Sequence, residues 1–351
     1  MLLGLLAGAC STVAAHSAAP QVLLVTGGNE LEAINIQDLQ LRAQLRLPGP
    51  VVAAALDTHA HRLLLATSGK QPYWLAIGGG GQSIVYRHPL AFLPAAMIMH
   101  GQQGYLAGQR GTGSLVQPFT GNHFAIAWPL PGRAVAMART PQGLLALATT
   151  QPNGLILADP ATRRWQRVDL TSAPRQVVVL PYGHKAFVLC ASTVAVVDTQ
   201  IPGLLAYLPL GQQPQQMILK PDGGELYVSN AGGSVSVINT TANEVSATMP
   251  AGLGAGAMAV SPDGAALYVA NAAAGTVTVI ALAERSQQAV IRVGQDPAAL
   301  TLGALGRLLF ASDAGSDDVA AIRAQDATSP NSLITLLPSP PTPGFAAILR
   351  P

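Results

Sequence analysis

The segment MILKPDGGELYVSNAGGSVSVIN at residues 217–239 recurs as MAVSPDGAALYVANAAAGTVTVI at residues 258–280. The two copies align at an offset of 41 residues. Each contains a short apolar strand, a Pro-Asp-Gly turn, a second strand that ends in Asn, a turn of small residues, and a third strand that alternates Val with Ser or Thr. Pro-Asp-Gly favours a tight turn, and β-branched alternation favours a pleated strand. The pair therefore predicts a repeating all-β architecture.

The second strand of this unit recurs along the whole chain at spacings of 40 or 41 residues. Its eight copies lie at residues 22–26, 63–67, 104–108, 144–148, 185–189, 226–230, 267–271 and 308–312. The first unit, residues 21–47, contains the second to fourth strands but no first strand. Residues 344–349 (GFAAIL) form a first strand with nothing after it. The two incomplete ends predict a single blade completed by both termini.

A ring closed in this way is typical of a β-propeller, in which four-stranded blades surround a central channel. Counting the second strands gives eight blades of about 41 residues each. Seven blades remain the alternative, because the pattern weakens over residues 73–133 and a blade with fewer strands could be hidden there. We expect residues 21–351 to form one propeller domain.

Two of the repeats also resemble a known family. Leu226-Tyr227-Val228-Ser229-Asn230 and the matching LYVAN at residues 267–271 each follow Pro-Asp-Gly and precede a strand of the form T/S-V-x-V-I. This pattern resembles the YVTN-family β-propeller repeat, most specifically over residues 214–300. The resemblance implies an exported or surface-associated protein. It also extends to lactonase-like propellers and to the haem-binding propeller of cytochrome-type nitrite reductases.

The composition excludes several classes of protein. Only 10% of the residues are charged, against about 25% in an average soluble domain, and mean hydropathy is +0.35. Intrinsic disorder would require low hydrophobicity and high net charge. A net charge of +2 with three lysines provides no basic surface for nucleic acid. Charge-free stretches are interrupted by Pro, Gly, Asn and Gln, so they do not form apolar membrane spans of about 20 residues.

Residues 1–20 differ from the rest, because residues 1–19 carry no Lys, Arg, Asp or Glu and include a short apolar core. This pattern predicts a signal peptide. Leu6-Ala7-Gly8-Ala9-Cys10 resembles a bacterial lipobox, which would make Cys10 the lipidated residue of the mature protein. The alternative is cleavage near Ala15 or Ala19, with Cys10 removed. We expect an exported protein in the periplasm or on the cell surface, with an outer-membrane lipid anchor as its only membrane contact.

Candidate ligand-binding residues follow from where propellers bind ligands. The fourth strand of each blade connects to the first strand of the next, and these connections form one mouth of the channel together with the turns between second and third strands. Arg133, Arg175 and Asp296 fall in the connections, and Asp313 falls in such a turn. If Arg133 and Arg175 occupy equivalent positions in consecutive blades, their guanidinium groups can hold an anionic ligand. Solvated charges at the rim are the alternative.

The sequence contains weak signals for metal or catalytic chemistry. Asp313, Asp317 and Asp318 lie in one turn, but without the regular ligand spacing of a calcium loop. His59 and His61 have a spacing that a metal can use, with no third ligand defined. No G-x-S-x-G, H-E-x-x-H or Cys-His motif is present. We therefore expect no metal, no cofactor and no catalytic residue that the sequence can identify.

These observations favour a non-enzymatic binding scaffold, monomeric and tethered to a membrane, that presents one mouth to a protein, a glycan or a small molecule. No binding to nucleic acid is expected. The alternative is a propeller enzyme, either of the lactonase type or of the cofactor-dependent redox type that the nitrite reductases represent. Turnover of a lactone or a bound redox cofactor would distinguish the enzyme from the scaffold.

Overall fold

A computed structural model describes residues 21–303, 306–324 and 332–349. Its first half contains β1 (Val22–Gly27), β2 (Glu30–Asn35), β3 (Gln40–Arg46), β4 (Val51–Asp57), β5 (Arg62–Thr67), β6 (Tyr73–Ile77), β7 (Ile84–Pro89), β8 (Leu93–His100), β9 (Gln103–Arg110), β10 (Gly113–Thr120), β11 (His123–Phe124), β12 (Trp128–Leu130), β13 (Arg133–Arg139), β14 (Leu145–Thr150), β15 (Gly154–Ala158) and β16 (Trp165–Asp169).

The second half contains β17 (Gln176–Val179), β18 (Lys185–Leu189), β19 (Thr193–Asp198), β20 (Gly203–Pro209), β21 (Pro214–Leu219), β22 (Glu225–Asn230), β23 (Ser234–Asn239), β24 (Glu244–Pro250), β25 (Ala255–Val260), β26 (Ala266–Asn271), β27 (Thr276–Ala281), β28 (Ser286–Arg292), β29 (Pro297–Leu302), β30 (Leu308–Asp313), β31 (Asp318–Arg323), β32 (Leu333–Pro338) and β33 (Pro343–Leu349). One turn of 3-10 helix, Ala272–Ala274, follows β26.

The described strands form eight antiparallel sheets, which are the eight blades of a propeller. Blades 2 to 8 begin with β4, β8, β13, β17, β21, β25 and β29, and each runs outward from that inner strand. Blade 1 has the order β3-β2-β1-β33, so the last strand of the chain becomes its inner strand. Val22 pairs with Leu349, and Leu24 pairs with Ala347. The predicted all-β propeller, closed by its two ends, is confirmed.

The irregular region between residues 73 and 133 forms complete blades, so the seven-blade alternative is wrong. Blade 2 ends in a regular fourth strand, β7. In blade 3, the outer edge of β10 pairs with two short strands, β11 and β12, instead of one long strand. This division hides the repeat in the sequence, because the short outer strands carry no alternating pattern.

The core lies between neighbouring blades, which explains the low charge of the chain. Each blade packs against a neighbour on both faces, so its two central strands are almost entirely buried. Leu226 and Val228 pack with Phe187 of the preceding blade, while Tyr227 packs with Leu267 of the following one. Polar and charged side chains are concentrated on exposed outer strands such as β3 and β16.

One charged residue in a second strand is accommodated by its neighbour. Lys185 begins β18, and its Nζ donates to the carbonyl oxygens of Thr240 and Thr241 at 2.9 and 3.0 Å and to Oδ1 of Asn243 at 2.9 Å. All three acceptors belong to the β23–β24 turn of blade 6. The ammonium group therefore joins two blades and is fully hydrogen-bonded.

No helix in the described part of the chain is long and apolar enough to cross a membrane. The predicted signal segment, residues 1–20, lies outside the described residues and includes Cys10. Cys190 directly follows β18, the second strand of blade 5, and is buried with a free thiol. The stability of the ring therefore comes from packing between blades.

Candidate ligand-binding mouth

We call the end of the channel at which the inner strands begin the upper mouth. It is bordered by the connections between consecutive blades and by the turns between second and third strands. Near this end the inner strand pairs irregularly with the second strand, as a β-bulge, in seven blades. In blade 5 the corresponding residue, Arg175, precedes β17, and its N–H donates to Leu189 O at 2.8 Å. A bulge leaves one residue unpaired and redirects its side chain.

The first bulge residue of each of these seven blades, together with Arg175 at the corresponding position of blade 5, forms one ring around the channel, which we call the bulge ring. Its members are Gly344, Val52, Ala95, Val135, Arg175, Gln215, Gly256 and Ala298, in order of blades 1 to 8. Six of the eight are Gly, Ala or Val, so the entrance is wide and mostly apolar. Only Arg175 and Gln215 are polar, and they occupy the adjacent blades 5 and 6. Both are exposed.

Hydrogen bonds hold this polar pair in position. Arg175 Nη2 donates to Pro214 O at 2.6 Å, which anchors the guanidinium group beside the inner strand of blade 6. Gln215 Nε2 donates to Gln213 O at 3.0 Å. A guanidinium group has five N–H donors and an amide has two, so donors remain for a ligand oxygen.

Two further glutamines fix the blades beneath the pair. Gln176 accepts from Met217 N at 2.7 Å and donates to Met217 O at 2.9 Å, which joins the inner strands of blades 5 and 6. Gln216 Oε1 accepts from Met258 N at 2.7 Å and joins blade 6 to blade 7 in the same way. These bonds make the sector that carries Arg175 and Gln215 a rigid support.

The structure places two of the predicted residues at different positions of the repeat. Arg133 comes directly before Ala134 and pairs with Thr150, whereas Arg175 comes directly after Pro174. The expectation that the two arginines are equivalent is therefore wrong, because the equivalent of Arg175 in blade 4 is Val135. Arg133 lies just outside the bulge ring, and its Nε is buried with no partner among the described residues.

Asp296 and Asp313 both lie in blade 8 but have different surroundings. Asp296 ends the connection from blade 7 with φ of 51°, and its side chain is exposed at the mouth. Because blades 4 and 8 are half a ring apart, Asp296 lies across the channel from Arg133. Asp313 ends β30 and is fully buried, so a ligand in the channel does not reach it directly.

Asp313 forms a carboxyl pair with Asp318, its partner in the β30–β31 ladder. Oδ2 of Asp313 accepts from Gly294 N at 3.0 Å. Oδ1 of Asp313 and Oδ1 of Asp318 are both buried without any other partner among the described residues. Burial, and then the neighbouring Asp318 carboxyl, raise the pKa of Asp313 to about 8. The pair therefore retains a proton at neutral pH.

The other predicted carboxylate of this turn faces elsewhere. Asp317 Oδ1 accepts from Thr342 N at 2.7 Å and so joins the turn to the connection entering blade 1. No group of three His, Cys, Asp or Glu side chains able to hold a metal occurs among the described residues. His59 and His61 lie in the β4–β5 turn, at the end of the channel opposite the mouth.

Two cavities open at the upper mouth. One of about 460 Å³ is lined by Gln215, Gln216, Gly256 and Ala298 of blades 6 to 8, together with neighbouring small residues. The other, about 560 Å³, adjoins Val52 and Gly344 of blades 1 and 2. Both volumes suit a small organic ligand. Sequence reasoning missed Gln215 and Gln216, although Pro-Arg-Gln at 174–176 and Pro-Gln-Gln at 214–216 recur at an offset of 40.

Comparison with known proteins supports the fold. No model of a protein family matches the chain, and no curated protein sequence matches it. The YVTN resemblance therefore stays a prediction. Among solved structures, the dihydro-haem d1 dehydrogenase NirN superposes with a TM-score of 0.76 at 12% identity, covering 94% of this chain and 75% of that chain.

Two further solved structures are also enzymes. The periplasmic gluconolactonase PpgL of Pseudomonas aeruginosa gives a TM-score of 0.61 at 17% identity, covering 94% of this chain and 99% of that chain. Hydrazine synthase of Kuenenia stuttgartiensis gives a TM-score of 0.61 at 15% identity, covering 78% of this chain and 95% of that chain.

These similarities correct one expectation from the sequence. A non-enzymatic scaffold is the interpretation that the sequence favours, but these three similar solved propellers are enzymes, and this finding favours the alternative. At 12–17% identity the likeness itself extends to the fold alone. The chain is an eight-bladed β-propeller with four-stranded antiparallel blades, a fold that it shares with a lactonase and with redox enzymes.

Proposed function

We propose that this protein is a propeller hydrolase of the lactonase type, which binds a cyclic ester at the upper mouth and opens it with water. The observation that carries the proposal is the bulge ring, in which Arg175 and Gln215 are the polar members and stand side by side. The small residues around them admit a ring-shaped ligand. The name of the gluconolactonase among the similar structures supports the choice of substrate class.

The chemistry requires donors at the ester oxygen. When water attacks the ester carbonyl carbon, the carbonyl oxygen gains negative charge, and the guanidinium group of Arg175 and the amide of Gln215 would stabilise it. The tetrahedral intermediate then collapses with cleavage of the ring C–O bond. The leaving alkoxide takes up the proton that the base removed from the attacking water. The acid product then releases a proton to solvent, and its carboxylate pairs with Arg175.

A carboxylate at the mouth is available as the base. Asp296 is exposed on the connection entering blade 8, where it can accept a proton from the attacking water. Its left-handed backbone, with φ of 51°, fixes the direction of this connection. We assign Asp296 to this role within the proposal, and Asp313 to the support beneath it.

The redox alternative has less support from the side chains. A bound iron tetrapyrrole usually requires an axial ligand such as histidine. Among the described residues, His59, His61, His100 and His184 lie at the lower ends of inner strands or in the turns that follow, and His88 and His123 lie in outer strands. None of them borders the upper mouth.

The test is hydrolysis of gluconolactone and of a homoserine lactone. A pH-indicator dye in a lightly buffered solution measures the acid that hydrolysis releases. We expect Arg175→Ala to lower kcat/KM about 100-fold or more, because one oxyanion donor is lost. Gln215→Ala should give a smaller loss, and Asp296→Asn should lower kcat by about 100-fold or more, because the general base is lost. Arg110→Ala, at the end of β9 and outside the bulge ring, is the matched control. Background rates with the unaltered protein, or full activity in Arg175→Ala, would reject the proposal.

We further propose that the enzyme acts outside the cytoplasm, with Cys10 as its lipid anchor. The support is the uncharged apolar segment at residues 1–19 and the small residues before Cys10. Cys10→Ala should move the protein from the membrane fraction to the soluble exported fraction. Continued sedimentation with membranes would contradict the anchor.

A further inference from the structure

A further cavity lies on the opposite side of the ring from the upper mouth. It has a volume of about 650 Å³ and occupies a groove between the lower ends of blades 4 and 5. Its walls come from the β15–β16 turn, from the start of β16, and from the turn after β19. A volume of this size accommodates one or two sugar rings.

A buried hydroxyl group without a partner lies in the wall of this groove. Thr199 is only 2% exposed, and its Oγ1 has no hydrogen-bond partner among the described residues. Its equivalent in blade 6 is Thr240, whose Oγ1 donates to Gly223 O at 2.7 Å and to Gly224 O at 3.1 Å. Thr199 keeps the equivalent main-chain bond, from its N–H to His184 O at 2.8 Å, but not the side-chain bond. An unpaired buried hydroxyl is costly, and a ligand hydroxyl in the groove would satisfy it.

An exposed tryptophan forms another wall. Trp165 begins β16 and is 45% exposed, whereas Trp74 and Trp128 are buried. The chain has three tryptophans, and aromatic residues make up only 5% of it. The flat indole ring borders a groove with Leu157 at its base. An apolar aromatic face beside polar groups suits the C–H face of a sugar ring.

The groove has a net positive charge, because two arginines, Arg163 and Arg164, and one carboxylate, Asp159, line it. Both oxygens of Asp159 are used by its own turn: Oδ1 accepts from Ala161 N at 2.8 Å, and Oδ2 accepts from Thr162 Oγ1 at 2.7 Å. Arg163 lies over the ring of Trp128, at 5.8 Å from its centroid. Arg164 lines the groove and is exposed, so its guanidinium group is available to an anion.

We propose that this groove binds an acidic sugar, a uronate residue at the end of a glycan. The sugar ring packs on Trp165, its carboxylate pairs with Arg164, and its hydroxyl groups bond to Thr199 and to the amides of Gln166 and Gln200. The site is separate from the lactone site, because it lies on the other face of the ring. It would hold the protein on an acidic polysaccharide while the mouth stays open.

Titration with digalacturonate tests this site, with a neutral disaccharide of the same size as the comparison. Trp165 is the exposed tryptophan, so its fluorescence reports binding directly, and calorimetry gives the affinity. We expect a Kd near 1 mM, as for one or two hydrogen-bonded sugar rings on a single platform. Trp165→Ala should weaken binding at least about tenfold, and Thr199→Val about threefold or more. Arg164→Gln should abolish the preference for the acidic sugar.

Thr240→Val provides the matched control, because it removes the equivalent hydroxyl group from blade 6. It should lower the melting temperature and leave the Kd unchanged, whereas Thr199→Val should leave the melting temperature unchanged or higher. Lactone hydrolysis should be the same in Trp165→Ala as in the unaltered protein, so failure of one site is distinguishable from failure of the other. Absence of binding at high digalacturonate concentration, equal binding of the neutral sugar, or unchanged affinity in Trp165→Ala would overturn the proposal.

Discussion

Blades 7 and 8 carry the same element of structure with different chemistry. In blade 7, Asn271 ends the second strand, and its Nδ2 donates to Thr276 and Thr278 at 3.1 and 2.8 Å, while Oδ1 accepts from Gly252 N at 2.9 Å. Blade 6 repeats the donor half of this pattern through Asn230, Ser234 and Ser236. In blade 8, Asp313 keeps the bond to the main-chain N–H, here Gly294, but faces the carboxyl group of Asp318.

The difference shows that the same repeat position can hold an uncharged, hydrogen-bonded residue in one blade and a titratable residue in the next. A side-chain amide is both a donor and an acceptor, so Asn271 can bond to every group around it without taking up or releasing a proton. A carboxylate offers only acceptors, so the Asp313–Asp318 pair needs a proton to form the corresponding bond. Blade 7 should therefore be insensitive to pH at this position, and blade 8 should be sensitive.

The largest expected effect comes from removing the neutral network. Asn271→Leu leaves Gly252 N–H and two threonine hydroxyl groups without their partner in a buried site, so we expect a loss of about 3 kcal/mol or more in the free energy of unfolding. Urea denaturation at pH 7 measures it. Adding Thr278→Val should recover part of the loss, because one orphaned hydroxyl is removed. A loss below about 0.5 kcal/mol would mean that the network does not stabilise the blade.

The second test uses the pH dependence of blade 8. The folded pKa of Asp313 is raised from 3.8 to about 8. The folded protein therefore holds a proton that the unfolded chain releases. Its stabilising contribution is complete below about pH 4 and is lost as the pH rises through about 8. We expect the melting temperature to fall over this range. Asp313→Asn, which restores the blade 7 pattern, should flatten the profile and raise stability at pH 8 by about 1–2 kcal/mol.

The control for this experiment is Asp169→Asn, an exposed carboxylate of β16 that is paired only with Arg167. Its profile should follow that of the unaltered protein. If Asp313→Asn keeps the full pH dependence, another group is responsible, and the contrast between the two blades is not electrostatic.

The sequence predicts the ring well because its determinants are local and repeated. Pro-Asp-Gly turns, a buried second strand and a fixed spacing specify each blade, and the unmatched ends specify closure. Asn271 and Asp313 also fall at the same repeat position, so their contrast is visible in the sequence. That Asp318 rather than Asp317 joins Asp313 depends on strand register, which the run DAGSDD does not reveal.

The mouth was harder to predict for a physical reason. A bulge shifts one residue out of the ladder, so a difference of two positions decides whether a side chain belongs to the ring. Arg133 and Arg175 differ by this amount, and spacing alone treats them as equivalent. Thr199 and Thr240 present a similar limit, because they are identical in sequence and repeat position. The structure alone shows that Thr240 Oγ1 bonds to the adjacent turn, at Gly223 O and Gly224 O, whereas Thr199 Oγ1 has no partner among the described residues.

The smallest expected effect comes from replacing Asp318, the partner of Asp313 in the carboxyl pair of blade 8. Asp318→Thr gives blade 8 the hydroxyl that Thr276 provides in blade 7, so Asp313 can accept a hydrogen bond from it while ionised. The pKa of Asp313 should then fall, because the like charge is removed and the charged form gains a donor. We expect the pH-dependent loss of stability to begin near pH 4 as before, but to end at lower pH and to be smaller, with a gain of about 1 kcal/mol at pH 8. Melting curves from pH 5 to pH 9 would show both changes.

Asp317→Asn is the matched control, since Asp317 lies in the same turn but bonds to Thr342 N instead of the pair. It should leave unchanged the pH at the midpoint of the fall in melting temperature, even if it destabilises the turn. Equal midpoints in Asp318→Thr and the unaltered protein would show that burial alone raises the pKa of Asp313. The pH dependence that distinguishes blade 8 from blade 7 would then come from Asp313 alone, and Asp318 would not contribute to it.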